Sequence, residues 1–513
     1  MRADAAALAV LALVSLAPRL LGLPYRYHNI DEFISLRIAV QPTLAAALAA
    51  LRGLGPLQMP LDYVAEFLAA RWTFDLDRLR LLPLAWGEAA IAATYFLGRR
   101  VGGRRFGLLW ACLLSISLVH IEFSQTFRPY SLAAFLGLLV SLAFLDLLDG
   151  ASAWGYGAAM LGFQASYLPA LFVGLSHLAW AAWRRRAKVR ASVAALAPSW
   201  AAFAAWLLAG GSRLAKEQVF FGVSQDGFGP AAIRRVFADL SQRVPAAQAV
   251  YGAAFVLGAA LWWRRRRDEV SLGLSALLLP LACVLFSHYW LSYGIYSRHV
   301  LPLLPLYLAF VAAAMAAAAE AVAARLPRWP DSARVVSVAL MLFVLCDFFA
   351  TGLNAYAFED AVADATLRDG LATLSGRLGP DDAVVFGNPN TATWFLYGME
   401  PGVIARLGGG LHHGFYFFEL PRDLRVSYEG KSVPAYTLCE RYPPRATIGR
   451  AEFQALRARV AAAGGTVWLV YLASYNYTKE ANPFYAGLGL TRKELVGEGS
   501  GVFSLRKTSG GVR

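Results

Sequence analysis

The sequence predicts a polytopic α-helical membrane protein of about eleven transmembrane helices, followed by a small C-terminal α/β soluble domain. Three observations predict it. The 513 residues are 58% hydrophobic and only 16% charged, and a mean hydropathy of +0.47 leaves too little polar surface for a water-soluble enzyme. Apolar stretches of about 15 to 20 residues, the length that crosses a hydrocarbon core of roughly 30 Å, recur as far as position 352. The arginines gather in short clusters between these stretches, which is the pattern of membrane topology. A formal net charge of +14 therefore points to no nucleic-acid partner.

In chain order the stretches lie near 5–23, 82–98, 106–121, 130–148, 154–168, 169–183, 191–209, 246–263, 271–287, 299–319 and 334–352. The first, Ala5 to Leu23, has one basic residue before it and no small-residue cleavage site after it, so it reads as a retained helix and not a signal peptide. Four basic clusters follow: Arg99, Arg100, Arg104 and Arg105; Arg184, Arg185, Arg186, Lys188 and Arg190; Arg264 to Arg267; and Arg325, Arg328 and Arg334. With this order of helices all four fall on one side, with the N-terminus, and the positive-inside rule makes that side cytoplasmic. The outer side receives a loop from Pro24 to about Leu81, a turn from Ile121 to Pro129, loops at 210–245 and 288–298, and everything after Thr351. The expected division is a membrane module over 1–352 and an extracytoplasmic α/β domain over 353–513. Helix-like runs at 358–377 and 451–463 and strand-like runs at 383–386, 466–472 and 501–505 mark that domain. Cys112, Cys283 and Cys346 lie in apolar runs and only Cys439 falls in the tail, which leaves no pairs for a disulfide framework. No fixed-period repeat is visible.

The densest chemical signal follows the first helix: Arg26-Tyr27-His28-Asn29-Ile30-Asp31-Glu32-Phe33. Adjacent carboxylates at a membrane–water boundary are costly to desolvate, so they mark a candidate site; the plain alternative is a solvated loop with Glu32 favouring the positive end of a helix over 33–40. Two other outer segments place an arginine at the same face, Arg128 in the turn 120–130 and Arg298 beside His299. Snorkelling to lipid headgroups is the plain reading of each. Arg19 lies inside the first apolar stretch, where an unpaired charge costs several kcal/mol, so it needs an anionic partner, a bound phosphate or Asp31. A carboxylate pair with several arginines on the outer face suits transfer of a sugar from a lipid phosphate to an acceptor hydroxyl. Asp31, with Glu32 beside it, takes the proton of the attacking hydroxyl, with inversion at the sugar. Arg128, Arg298 and Arg19, with Tyr130 and His299, hold the leaving phosphate.

These segments resemble the polytopic GT-C glycosyltransferases, especially bacterial relatives of protein O-mannosyltransferases and of the aminoarabinose transferase that modifies lipid A. The resemblance covers the whole membrane region. It rests on Arg19-Leu20 leading into Asp31-Glu32, on Gln58-Met59-Pro60-Leu61 followed by Leu79-Arg80-Leu81-Leu82-Pro83, on Ser124-Gln125-Thr126-Phe127-Arg128-Pro129-Tyr130-Ser131, and on Arg298-His299-Val300-Leu301-Pro302-Leu303-Leu304-Pro305. It implies that Asp31 is the catalytic carboxylate and that the donor is a polyprenyl-phosphate sugar. Two positions depart from the family pattern: Thr126 stands where many relatives carry glutamate, and His299 where tyrosine is usual. Glu122, four residues earlier, is the candidate to stand in for the missing acid.

His28, Glu32 and Glu122 could hold Mg²⁺ or Mn²⁺, a reading ranked below the metal-free one because the arginines already supply cationic charge. The adjacent pair His412-His413 is a weaker metal candidate. Arg213 and Lys216 are candidates for gating the donor headgroup. Asn476-Tyr477-Thr478 is a sequon, and Tyr289, Trp290, Tyr293 and Tyr296 suit an interfacial aromatic belt. The competing functions are a flippase of a lipid-linked saccharide, which expects ionisable residues near the bilayer midplane, and a ligase or polymerase of whole glycans. Partners are membrane lipid, the lipid-linked donor, and a glycan, lipid or protein acceptor. High alanine, arginine and glycine content suggests a GC-rich bacterial genome, and hence a multi-pass protein of the inner membrane with an undecaprenyl-like carrier.

Overall fold

The structure is a computed structural model; it describes residues 2–23, 28, 30–54, 58–209, 230–241, 245–291, 297–325, 335, 336, 339, 370–372, 374, 376–387, 389–412, 415–438, 447–472, 495, 496 and 502–505. Contacts divide the chain into two compact units: Met1–Pro24, Leu44–Ala69 and Asp77–Ala357 form the first, and Tyr25–Thr43, Ala70–Leu76 and Phe358–Arg513 the second.

The first unit is helical. Its elements are α1 (Arg2–Gly22), α3 (Leu44–Leu54), α4 (Pro60–Ala69), α5 (Leu81–Ser115), α6 (Leu118–Ser124), α7 (Tyr130–Leu148), α8 (Ala153–Ser166), α9 (Ala170–Arg184), α10 (Val189–Ala209), α11 (Pro230–Leu240), α12 (Pro245–Arg265), α13 (Arg267–Leu291) and α14 (Leu304–Arg325). The first ten apolar stretches expected from the sequence are thus helical, and the eleventh, 334–352, lies almost wholly outside the described residues. Five stretches of the described residues are long and apolar enough to cross a membrane: Leu76–Ser115, Tyr130–Leu148, Arg186–Ala209, Arg267–Phe286 and Leu301–Arg325. The first of these contains a reversal. Gly103 adopts φ 86°, a left-handed value open to glycine, and the two arms of α5 fold back so closely that a Cβ on Gly107 would sit 2.6 Å from the carbonyl oxygen of Tyr95. The arms correspond to the expected stretches 82–98 and 106–121, the second broken at Ile116 and Ser117.

One difference from expectation lies in 24–81. It is no extended loop: α3 and α4 lie in it, and so does a helix of the second unit. Pro60 opens α4, where its missing N–H goes unused.

The core of the first unit joins α5, α7, α12 and α14. Phe310 of α14 packs edge-on against Phe255, with ring centroids 5.2 Å apart, and Gly258 lets the two backbones meet, since a Cβ there would fall 1.8 Å from the Phe310 carbonyl oxygen. The indole N–H of Trp110 donates to the carbonyl of Pro305 at 2.6 Å, a carbonyl near the start of α14 that a buried donor can reach. Free Cys112 is buried here, as expected of an apolar position.

The second unit holds α2 (Ile30–Ala39), α15 (Pro389–Met399), α16 (Arg450–Ala462) and eight strands. These are β1 (Ala383–Phe386), β2 (Gly408–His412), β3 (Phe415–Glu419), β4 (Arg425–Tyr428), β5 (Lys431–Thr437), β6 (Val467–Leu472), β7 (Leu495–Val496) and β8 (Val502–Leu505). Six strands form one sheet in the order β4-β5-β1-β6-β8-β7, while β2 and β3 pair separately. Central β1 is parallel to both β5 and β6; it is buried throughout, and its sequence AVVF is the unbroken apolar run such a strand requires. Helix α16 covers the sheet with Phe453, Leu456 and Val460, which pack on Ala383, Val385 and Leu469. Glu429 and Gly430, both at positive φ, make the two-residue turn between β4 and β5.

Gly107→Ala is expected to lower stability by about 1–3 kcal/mol through the forced separation of the α5 arms. Gly53→Ala, whose new methyl would meet nothing within 4 Å, should be neutral or slightly stabilising. Thermal unfolding in detergent reads both, and equal melting temperatures would refute the close packing of the hairpin.

Candidate active site

Arg19 is fully buried near the end of α1. Its Nη1 donates to the carbonyls of Ser15 and Ser115, each at 2.8 Å. Nη2 lies 2.7 Å from Nδ1 of His120, and Nε lies 3.6 Å from Glu88 Oε1. Glu88 also accepts a short hydrogen bond from the Ser15 hydroxyl. Glu88, on the first arm of α5, is thus an anionic partner of Arg19. The side-chain amide of Gln125 then donates to the Arg19 carbonyl at 2.6 Å. Gly87 permits the contact between α5 and α6, because a Cβ there would come within 2.8 Å of Ser124 Cβ.

Arg128 is carried by the turn between α6 and α7. The turn is fixed from inside: Phe127 is fully buried, the Arg128 amide donates to the Thr126 carbonyl at 2.7 Å, and the Ser131 hydroxyl donates to the Phe123 carbonyl at 2.8 Å. Thr126, at the position where the family carries an acid, donates its hydroxyl to the Glu122 carbonyl at 2.8 Å. Arg128 itself is only 8% exposed. Its Nη1 donates to the Tyr63 hydroxyl at 2.9 Å, and its guanidinium carbon lies 5.9 Å from the ring centres of both Tyr63 and Tyr130. The Tyr63 hydroxyl in turn donates a hydrogen bond to Gln58 Oε1 at 3.0 Å. A planar cation against two aromatic rings is held in one orientation.

Beside it lie two carboxylic acids that the sequence reading did not single out. Asp62 and Glu66, one turn apart on α4, are 3% and 1% exposed. Burial pushes the Asp62 carboxyl up to about 6, against the lowering effects of its hydrogen bond with Glu66 and of the Arg128 charge. Burial raises the Tyr63 hydroxyl as well, so it stays protonated. Like charges at i and i+4 on a helix repel, and that spacing is the signal that could have found this pair.

Arg298 and His299 sit in the 3₁₀ turn Ser297–His299. Arg298 is half-buried and His299 is 9% exposed, with the His299 carbonyl accepting a short hydrogen bond from the Tyr167 hydroxyl. Arg213 and Lys216 lie outside the described residues, as do His413, Cys346, Cys439 and the sequon.

Asp31, Glu32 and His28 belong to the second unit, and the arginines to the first. Asp31 and Glu32 occupy the first turn of α2, where the helix dipole favours negative charge; Glu32 is fully buried and Asp31 half-buried. The His28 ring meets Tyr397 of α15 edge-on at 5.5 Å, and Phe33 meets the same ring at 5.3 Å. Arg37 Nε donates to the Leu407 carbonyl at 3.1 Å. Among the described residues no group of three or more His, Cys, Asp or Glu side chains gathers as a metal site.

Arg19→Leu is expected to cost on the order of 3 kcal/mol, because it strands Glu88 and two helix carbonyls. Arg19→Lys should restore only part, since one ammonium cannot reach Ser15, Ser115, His120 and Glu88 together. A melting temperature of Arg19→Leu equal to that of wild type would show that the network carries no load.

No protein-family model and no curated protein matches the chain. Solved structures do. ArnT from Cupriavidus metallidurans bound to undecaprenyl phosphate matches with a TM-score of 0.56 at 14% identity over 98% of both chains, and its apo state with 0.54 at the same identity and coverage. A looser likeness links the chain to the archaeal oligosaccharyltransferase AglB from Archaeoglobus fulgidus, with a TM-score of 0.49 at 14% identity over 98% of this chain and 74% of that one. ArnT, an aminoarabinose transferase, and AglB are both GT-C proteins. At that identity the likeness to ArnT is one of architecture, and the chain has the GT-C fold of a polytopic membrane protein.

Proposed function

We propose that the protein transfers a sugar from a polyprenyl-phosphate donor to an acceptor hydroxyl on the outer face of a bacterial inner membrane. The observation that carries the reading is Arg128, a buried cation held between two tyrosine rings in a chain whose fold is that of a protein crystallised with undecaprenyl phosphate. A buried guanidinium at the outer end of a helix bundle suits a phosphate anion tethered in lipid.

In this reading Asp31 accepts the proton of the acceptor hydroxyl as its oxygen bonds to the anomeric carbon from the face opposite the phosphate. The bond from that carbon to the phosphate oxygen breaks, the configuration inverts, and the phosphate leaves with the electron pair. The leaving group is already a good one, so it needs positive charge rather than a proton. Arg128 and Arg298 supply that charge. Tyr130 and Tyr63 orient Arg128, and the fixed carbonyl of His299 orients the turn bearing Arg298. Glu32, fully buried beside Asp31, positions the first turn of α2. Arg19, whose Nη groups meet the Ser15 and Ser115 carbonyls and His120, supports the framework of the site and adds positive charge on the same side as the phosphate.

Membranes holding wild type or a variant, supplied with radiolabelled polyprenyl-phosphate sugars, test this by the label that leaves the lipid. Asp31→Asn is expected to reduce transfer by about 100-fold or more. Arg128→Gln and Arg298→Gln should lower kcat/KM while leaving the protein folded. Undiminished transfer by Asp31→Asn would remove that residue from the role of base.

A further inference from the structure

Helix α7 starts beside Arg128 and ends at Leu148. Ser141 and Leu145, near its far end, line a cleft that the mechanism above does not use, together with Trp262 of α12, Leu272 of α13 and Phe310 of α14. The cleft is half-open and, counting its open side, holds about 580 Å³ of empty space, a size suited to a small ligand. We propose that it takes one hydrocarbon chain of an anionic phospholipid, whose phosphate rests on the arginines at the cleft's mouth.

Three observations support it. First, the polar side chains of the wall are turned to protein partners. The Trp110 indole donates to the Pro305 carbonyl at 2.6 Å, and the Ser141 hydroxyl to the Gly137 carbonyl at 2.9 Å. His177 stacks on Phe144 with ring centroids 4.2 Å apart, its Nδ1 lies 3.1 Å from the Tyr156 hydroxyl, and Glu269 is paired with Arg266 at 3.4 Å. What meets an occupant is mostly aliphatic and aromatic carbon, and space lined in that way holds hydrocarbon in preference to water. Second, the mouth is positive. Phe106, beside the α5 reversal, lies against Trp262 with ring centroids 4.7 Å apart, so the ends of α5 and α12 meet there. The acids of these helix ends are already taken: Asp146 and Asp149 by Arg100, Asp268 by Arg184 and Arg185, and Glu320 by Arg265. Arg105, Arg264 and Arg267 are exposed, with no acid paired to them among the described residues. Arg264 is two residues from Trp262 and Arg267 two from Glu269, both lining residues, so a phosphate at the mouth meets uncompensated charge. Third, the depth suits a lipid chain. Exposed Trp183 and Trp263 mark the headgroup level. Glu320 meets Arg265 near that level, and Leu306, also a lining residue, lies about 21 Å of helix farther in along α14.

Native mass spectrometry of the full-length protein in detergent, mixed with phosphatidylglycerol and phosphatidylcholine of identical chains, counts the bound lipid. Wild type is expected to retain one phosphatidylglycerol in preference to phosphatidylcholine. Arg264→Gln and Arg267→Gln, both at exposed positions, should each cut that preference about fivefold. Leu272→Trp, which fills the cleft from α13, should remove the bound lipid at an unchanged melting temperature. Leu145→Trp fills it from α7 and serves where the first variant fails to fold. Equal retention of the two lipids by wild type overturns the proposal. Phosphatidylglycerol held by a folded tryptophan variant as tightly as by wild type also overturns it, because the lipid then sits elsewhere. Undecaprenyl phosphate displacing phosphatidylglycerol one for one would overturn it as well, giving the cleft to the donor's tail.

Discussion

A guanidinium withdrawn from water must find an anion and acceptors for its N–H groups, and the first unit is organised around that requirement at Arg19. The last carbonyls of a helix have no partner within it. Arg19 donates to the carbonyl of Ser115, the residue that ends α5, while Gln125, just past α6, donates to the carbonyl of Arg19 in the last turn of α1. The two residues thereby exchange caps among three helices, and Glu88 balances the charge from the arm that packs between them. Because the ends of α1, α5 and α6 are joined in this way, the turn that follows α6 starts from a fixed point. That turn carries Arg128.

Position alone does not hold Arg128. Its Nη1 donates to the Tyr63 hydroxyl at 2.9 Å, and its guanidinium carbon lies 5.9 Å from the ring centres of both Tyr63 and Tyr130, so a residue of α4 and the first residue of α7 fix the side chain that the turn after α6 presents.

The helices of the first unit were legible because lipid imposes a simple rule: a long apolar stretch between arginine clusters has few alternatives to a helix. The hairpin of α5 was legible for the same reason, since Arg99, Arg100, Arg104 and Arg105 had to leave the apolar layer together. Less legible were the residues that satisfy buried charge. Arg19 announced that it needed an anion, but Glu88 lies 69 positions away, and only the packing of α5 on α1 brings it near. Asp62 and Glu66 carry a signal only in their i, i+4 spacing, which is visible once Pro60 is seen to open α4. In the second unit β1 was read to the residue, whereas β2 to β5 were not, for their sequences Gly408–His412 and Lys431–Thr437 mix glycine, proline and charge. Such strands are set by their partners more than by their own pattern.

The Asp31-Glu32 motif shows how far a local signal depends on distant sequence. Helix α2 has ten residues, too few to hold its shape in isolation. Its support comes from C-terminal residues, Tyr397 against Phe33 and the Leu407 carbonyl on Arg37; the Leu76 amide in turn donates to the Tyr397 hydroxyl at 2.7 Å. Arg71 completes the frame by donating to the Ala39 carbonyl at 2.7 Å, one of the carbonyls that α2 leaves without a helical partner. Two of the residues that hold α2, Tyr397 and Leu407, lie more than 350 positions along the chain from their partners Phe33 and Arg37. Helix α15 and the turn that follows it therefore serve as the scaffold of the N-terminal helix α2, so the C-terminal part of the chain fixes where the Asp31-Glu32 motif stands.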